Sequence, residues 1–290
     1  MSAGLDARHV RQAFSRAAST YEAHAVLQAE VGTRLLERLD GAELQPRRVL
    51  DVGSGPGTGA AALRARYPAA DVVALDIALP MLRAAASHAG EPPRFARVCA
   101  DAQALPFADA AFDLVYSNLC MQWCDDPGLA LAEFARVLRP GGLLLFTTFG
   151  PSTLQELRAA FAEADAEPHV SRFVDMHDIG DALLTTGFRD PVLERDDFTL
   201  TYADAFALMR ELRAIGATNA DAKRQRTLTG KAHLQRVVAA YEAFRRDGAL
   251  PATYEVVYAQ AFAPDPGQPR RTAGGEVATF PIERLRGSRR

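Results

Sequence analysis

The residues with the clearest chemical purpose lie in Val49-Leu50-Asp51-Val52-Gly53-Ser54-Gly55-Pro56-Gly57-Thr58-Gly59, where a short apolar run ends in an acid and then breaks into four glycines. A strand that ends this way, followed by a helix over 58–67, sets unpaired helix N–H groups above a turn whose backbone a ligand can approach closely. Nineteen residues past Gly57 a second apolar run, Val72-Val73-Ala74-Leu75, ends in Asp76. Dinucleotide-type folds hold an acid there that accepts from ribose hydroxyls. Gly53, Ser54, Gly55 and Gly57, with Asp76 and its neighbour Ile77, therefore form a candidate nucleoside site.

The form of the glycine run narrows the ligand. Its third glycine comes one position earlier than in G-x-G-x-x-G, and Thr58 stands in the expected place, which argues against a pyrophosphate. Asp51 at the entry to the turn would repel a pyrophosphate but accept from an ammonium. S-adenosylmethionine, whose amino-acid end carries an ammonium, satisfies both features. A helix-capping Asp on a glycine turn of an ordinary α/β sheet is the bland alternative.

These residues need a scaffold. From Arg48 to Phe149 the sequence alternates strands and helices, with strands at Val49–Val52, Val72–Leu75, Phe95–Ala100, Leu114–Ser117 and Leu143–Thr148. Four of the five are continuous apolar runs, the pattern of strands covered on both faces. The fold class is α/β, a doubly wound and mostly parallel seven-stranded sheet, and ligands collect there at the carboxyl ends of strands where the strand order reverses. Asp51, Asp76, Asp101 and Asn118 all fall at such ends. Asp101, followed by Ala102, is placed to accept from an exocyclic amine such as that of adenine, or is simply solvated. Ser117-Asn118-Leu119-Cys120-Met121-Gln122-Trp123 mixes amide, thioether and indole and suits a partly apolar pocket wall.

Around this core lie a helical N-terminal cover (1–45, helical over 8–39) and a helical stretch (203–250) with Leu234, Val237, Val238, Tyr241 and Phe244 on one face. The cover carries Phe14-Ser-Arg-Ala-Ala-Ser-Thr-Tyr21, which is more chemistry than a plain covering helix needs. Later strands at Leu193–Tyr202 and Tyr254–Phe262 alternate better, as edge or antiparallel strands do. The stretch 203–250 is a lid inserted before the last strand, and it holds nine Lys or Arg against five Asp or Glu. Lys223, Arg224, Arg226, Lys231 and Arg236 lie in it without an intervening acid: a solvated helix face, or a docking surface for an acidic partner. One domain is expected over 1–262, and a disordered basic tail over 263–290, where six Arg face three acids. Arg139-Pro140-Gly141-Gly142 reads as a turn without chemistry.

Composition sets the outer bounds. A chain of 290 residues with 48% hydrophobic content can bury a sizeable core. The net charge of −3 gives no reason to expect nucleic acid or an anionic membrane as partner. Cys99, Cys120 and Cys124 have no histidine or cysteine partners at zinc spacing, so no metal is expected. With no signal-like or membrane-length apolar run, the expected location is cytoplasmic.

Asp51–Gly57 and Asp76 together resemble the first motif and ribose acid of the class I S-adenosylmethionine-dependent methyltransferases. More closely, the chain resembles the malonyl-acyl-carrier-protein O-methyltransferases of biotin synthesis in four stretches. These are Phe14–Tyr21, Ser117–Trp123, Phe173-Val-Asp-Met-His-Asp-Ile-Gly180, and Leu212-Arg-Ala-Ile-Gly-Ala-Thr-Asn219 with Leu250-Pro-Ala-Thr-Tyr-Glu-Val-Val-Tyr258. That resemblance implies methylation of the free carboxylate of a malonyl thioester, and it gives the basic residues of 223–236 a purpose, since acyl carrier proteins are acidic. For such a reaction the expected substrate contacts are a phenol, Tyr21, and a cation, Arg213 or Arg172, with His177 behind them. A methyltransferase acting on another small acid, a silent cofactor-binding module and a nicotinamide-dependent oxidoreductase are the competing readings.

Overall fold

The computed structural model describes residues 4–265 apart from 41–42, 91–93, 166 and 225–229, together with 270–272 and 275–277. In chain order the elements begin with helices α1 (Ala7–Ala17), α2 (Tyr21–His24) and α3 (Val26–Glu37), strand β1 (Arg48–Val52), helix α4 (Thr58–Arg66) and strand β2 (Asp71–Asp76). Next come α5 (Leu79–Ala84), α6 (Ala86–Ala89), β3 (Ala96–Cys99), β4 (Phe112–Ser117), a single 3-10 turn (Met121–Trp123), α7 (Pro127–Val137) and β5 (Leu138–Phe149). The chain continues through α8 (Gln155–Ala162), α9 (Met176–Thr186), β6 (Arg189–Tyr202), α10 (Ala205–Ala214), α11 (Lys231–Glu242) and β7 (Leu250–Phe262), then β8 (Arg270–Thr272) and β9 (Gly275–Val277).

Seven strands form one sheet in the order β3-β2-β1-β4-β5-β7-β6. Strands β3 through β5 run parallel, and β7 lies antiparallel between β5 and β6. The expected doubly wound, mostly parallel sheet is therefore what forms. From β1 the chain moves to β2 on one side and returns to β4 on the other, so the crevice between them is the switch point. Residues of the central strands alternate between two apolar layers. Val49, Leu114 and Leu145 face one, with Leu35 and Leu63; Leu50, Val115 and Leu144 face the other, with Phe134 and Leu183. Burial on both faces is why these strands read as unbroken apolar runs.

Three details depart from the sequence pattern. The expected helix over 8–39 is broken into three, because the Thr20 hydroxyl donates to the carbonyls of Ala17 (3.1 Å) and Ala214 (2.7 Å), competing with helix continuation. That break turns Tyr21 toward the sheet. Arg139–Gly142 is part of β5, where Gly141 takes φ +72° beside a break in the β4–β5 register, so a glycine bulge extends the strand. Within the tail, β8 and β9 pair antiparallel, although disorder was expected there. A composition rich in Pro, Gly and Arg disfavours a packed core, but not two short strands that satisfy each other's backbone. Residues 266–269, 273–274 and 278–290 of the tail lie outside the described residues.

The 203–250 lid has its apolar face where the spacing puts it: Val237 and Tyr241 are fully buried, and the Tyr241 hydroxyl donates to the Pro251 carbonyl at 2.7 Å. No helix among the described residues is long and apolar enough to cross a membrane.

Candidate active site

The glycine turn is pinned before any ligand arrives. Gly53 and Ser54 donate their N–H groups to the Leu75 carbonyl at the end of β2 (2.8 and 3.0 Å), which locks the turn against the neighbouring strand. Gly53 sits at φ +73°, and a Cβ there would lie 2.5 Å from both the Cβ and Sγ of Cys120. Only glycine fits a left-handed position against which another side chain is already packed.

Asp76 ends β2 with both oxygens engaged, Oδ2 accepting from Gly55 N (2.9 Å) and Oδ1 from Ala78 N (2.7 Å). Burial pushes its carboxyl up to about 6, held back by those two N–H donors. Asp51, in β1, is 2% exposed and its Oδ2 has no hydrogen-bond partner. Burial and the nearby Asp76 push its carboxyl up to about 8, against a donor from the first turn of α4. Two buried acids share one turn, and no Lys or Arg is among the described residues lining the Asp51 cleft, so a cation bound there would stabilise the ionised carboxylates.

Asp101, after β3, accepts from Gln103 N at 2.9 Å, and Gln103 Oε1 in turn accepts from Asp126 N at 2.8 Å. Asn118, after β4, donates to the Gln28 carbonyl (2.9 Å) and accepts from Thr147 (2.8 Å). Asn118 thus ties the cover to the sheet. Leu119 takes φ +49°, a strained choice for a residue with a Cβ, and so points into the crevice.

Two cavities meet here. The first, about 710 Å³ including its mouth, is lined by Gly53, Gly55, Asp76, Ile77, Asp101 and Ala102 on the sheet side. The second, about 760 Å³, is more apolar, with Phe149, Leu157, Phe173, Leu212, Ile215 and Tyr254 around it. Phe14, Tyr21, Leu119 and Trp123 line both. Phe14 and Trp123 pack edge to face with ring centroids 5.2 Å apart. Tyr21 also faces a third cleft, along the Asp51 side of the glycine turn, that Ser54 and Thr58 line as well. Burial, then Asp76 and Cys120, drive its phenol pKa upward, so Tyr21 stays a neutral donor.

The structure thus brings together Asp51, Gly53, Ser54, Gly55, Asp76, Ile77, Asp101, Ala102, Asn118 and Tyr21. Gly57, at φ +90°, lies behind the turn against Ala85 and Phe95 and starts α4. The expected substrate cations, Arg172 and Arg213, do not themselves line either cavity, although their chain neighbours Ser171, Phe173 and Leu212 line the second. Arg213 is exposed on α10, and His177, whose side chain is 88% exposed, sits in the first turn of α9 hydrogen-bonded to Asp175. Arg172 is exposed at a cleft that adjoins the second cavity through Phe173 and Gln122. Sequence reasoning missed His169, Leu154 and Gln28, which line the second cavity, and Gln103, which braces Asp101. Leu154 lies at φ +54°, and nothing in the sequence marks that conformation.

Of the basic lid residues, Lys223, Lys231 and Arg236 are exposed. Arg224 is largely buried and paired with Asp6 at 3.1 Å, so it braces the N-terminal cover instead of facing solvent; Arg226 lies outside the described residues.

Residues 50–146 match a methyltransferase domain. Malonyl-acyl-carrier-protein O-methyltransferase from Xylella fastidiosa is 50% identical over 98% of this chain and 97% of its own length. The protein of the same name from a Methylovorus species is 53% identical over 90% of each chain. Among solved structures, the YcgJ protein from Bacillus subtilis superposes with a TM-score of 0.58 over 80% of this chain and 98% of its own, at 19% identity, a likeness of fold. Identity of this order across almost the whole length of both partners settles the kinship: the chain belongs to the malonyl-acyl-carrier-protein O-methyltransferase family.

Proposed function

We propose that this chain transfers a methyl group from S-adenosylmethionine to the free carboxylate of a malonyl thioester carried on acyl carrier protein, giving the methyl ester that enters biotin synthesis. The observation that carries the reading is the meeting of an acid-rimmed nucleoside cavity with an apolar acceptor cavity along one shared wall, Phe14, Tyr21, Leu119 and Trp123.

The residues present fit the cofactor. Asp76 would accept from ribose hydroxyls, Asp101 from the adenine amine, and Ala102 and Ile77 would flank the base. The unpartnered Oδ2 of Asp51 would offer a buried acceptor to the ammonium, and Gly55, where a Cβ would meet only Tyr21 at 3.9 Å, keeps the turn open beside it. When bound, adenosylmethionine supplies an electrophilic methyl group on a sulfonium.

The acceptor carboxylate is ionised near neutral pH, because its kind titrates at about 4, so no group of this chain has to remove a proton. What the chain supplies is alignment and a dry site. The rings of Phe14 and Trp123 with Leu119 keep water from the junction, and the Tyr21 hydroxyl donates to the incoming carboxylate. Negative charge on that carboxylate falls as the bond forms. A tight Arg pair would therefore stabilise the ground state more than the transition state, whereas a neutral phenol does so less. Arg172, Arg213 and His177 do not themselves line either cavity, although Ser171 and Phe173 beside Arg172 and Leu212 beside Arg213 line the second, so the phenol of Tyr21 is taken as the donor at the junction itself.

Lys223, Lys231 and Arg236 give the lid a positive face for an acidic carrier, and we place the reaction in the cytoplasm, where the three cysteines remain free thiols. Intact-mass analysis of malonyl-carrier protein after incubation with the enzyme and adenosylmethionine tests the reading. Gain of one methyl on the malonyl group supports it; unchanged malonyl-carrier protein, with the cofactor bound, rejects it.

A further inference from the structure

Away from the glycine turn, three potential metal ligands converge where the end of α8 meets the first turn of α11. Asp165, His169 and His233 each offer a ligand atom, all within 4.8 Å of one another, and they are the one such set among the described residues. His169 Nε2 lies 2.9 and 3.1 Å from the two oxygens of Asp165, and His233 Nε2 lies 3.4 Å from Oδ2. That last approach is not a hydrogen bond, which leaves His233 Nε2 buried and without one.

The three side chains are held by unrelated supports. Asp165 N donates to the Phe161 carbonyl at 3.0 Å, and its Oδ1 accepts from Glu167 N at 2.9 Å. The His169 ring stacks on Phe161 with centroids 4.2 Å apart, and the preceding Pro168 carbonyl accepts from Asn219 at 2.6 Å. His233 is carried by α11, whose Val237 and Tyr241 are buried in the core. Side-chain exposures of 25%, 14% and 16% for Asp165, His169 and His233 leave the cluster shielded but reachable.

We propose that Asp165, His169 and His233 form a binding site for a divalent first-row transition ion, with zinc as its natural probe. Tetrahedral zinc with bonds of about 2.0–2.1 Å places its ligands about 3.3 Å apart, close to the separations between Asp165 and each imidazole here. Two imidazoles and a carboxylate make a nitrogen- and oxygen-rich set that leaves a fourth position open. His169 also lines the acceptor cavity and His233 belongs to the lid, so a bound ion fastens the lid to the wall of that cavity. One neighbour opposes the ion: Arg236 Nη2 lies 3.5 Å from His233 Nδ1, which must carry a proton when Nε2 is a ligand.

The test uses the full-length protein, stripped with a chelator and titrated with zinc against a chromophoric competitor, with cobalt as a spectroscopic stand-in. One equivalent is expected, with the visible absorption of four-coordinate cobalt. Asp165→Asn and His233→Ala should each weaken binding by more than the ~10–100-fold typical of losing an outer-shell partner. Arg236→Gln should tighten it, whereas in a mere Asp–His clamp removing that contact would loosen the lid. Circular dichroism confirms that each variant is folded. No stoichiometric uptake by the wild type, or uptake that none of the three substitutions alters, overturns the proposal.

Discussion

Replacing Asp51 by asparagine separates what the buried acid costs the ligand-free protein from what it does for the ligand. In the native state its carboxyl is pushed up to about 8, from 3.8 in an exposed chain, so between those values the folded protein binds a proton that the unfolded chain has lost. Stability therefore falls as pH rises through that window and levels off above it. From about pH 5 to about pH 9 the shift spans roughly 3 units, which at about 1.4 kcal/mol each makes a loss of up to about 4 kcal/mol. Asparagine has the same shape and no such proton. The gap between Asp51→Asn and wild type should thus widen by a few kcal/mol over that range. Urea unfolding of ligand-free protein at the two pH values, followed by far-UV circular dichroism, measures it. The same variant should bind adenosylmethionine at least ~10-fold more weakly, having lost the anion proposed to face its ammonium. A stability gap independent of pH would refute the electrostatic account, and undiminished cofactor affinity would refute the role given to Asp51.

Other consequences are nearer the surface of the account. Gly53→Ala should destabilise by about 2–4 kcal/mol in urea unfolding, because its Cβ would need φ +73° and would fall 2.5 Å from Cys120. Tyr21→Phe should lower kcat/KM for the carrier-bound substrate about 10-fold or more while leaving the cofactor dissociation constant unchanged, as loss of one hydrogen-bond donor to the acceptor implies. Reversing charge at Lys223 and Lys231 together should raise KM for malonyl-carrier protein at low salt and abolish most of its salt dependence, with malonyl-coenzyme A turnover little changed. His177→Ala should leave kcat/KM within about twofold, since that side chain stands 88% exposed on the outside of α9.

The sheet was legible because its strands are buried on both faces: Val49–Val52 and Leu143–Thr148 announce themselves as apolar runs whatever packs over them. The cofactor side was legible for a related reason. Asp51, Gly53, Gly55 and Asp76 are fixed by positions within a strand–turn–helix unit, so local spacing is enough to place them. The acceptor cavity is different, being assembled from α1, α2, the crevice loop after β4 and the turn after α10. Gly216, for instance, takes φ +78° and would drive a Cβ to 3.1–3.2 Å from Phe14 and Ala13, a contact between segments far apart in the chain. No periodicity encodes such a contact. Charged residues were the least readable, because Arg172, Arg213 and Arg224 look alike in sequence, and only packing decides that Arg224 turns inward to Asp6.

The most direct measurement compares methyl transfer from labelled adenosylmethionine to malonyl-carrier protein, malonyl-coenzyme A and free malonate, at low and at high salt. The account predicts preferred methylation of the carrier-bound malonyl group, with a rate that falls as salt screens the basic lid. Transfer to free malonate alone, or none to any malonyl acceptor while the cofactor stays bound, would contradict it.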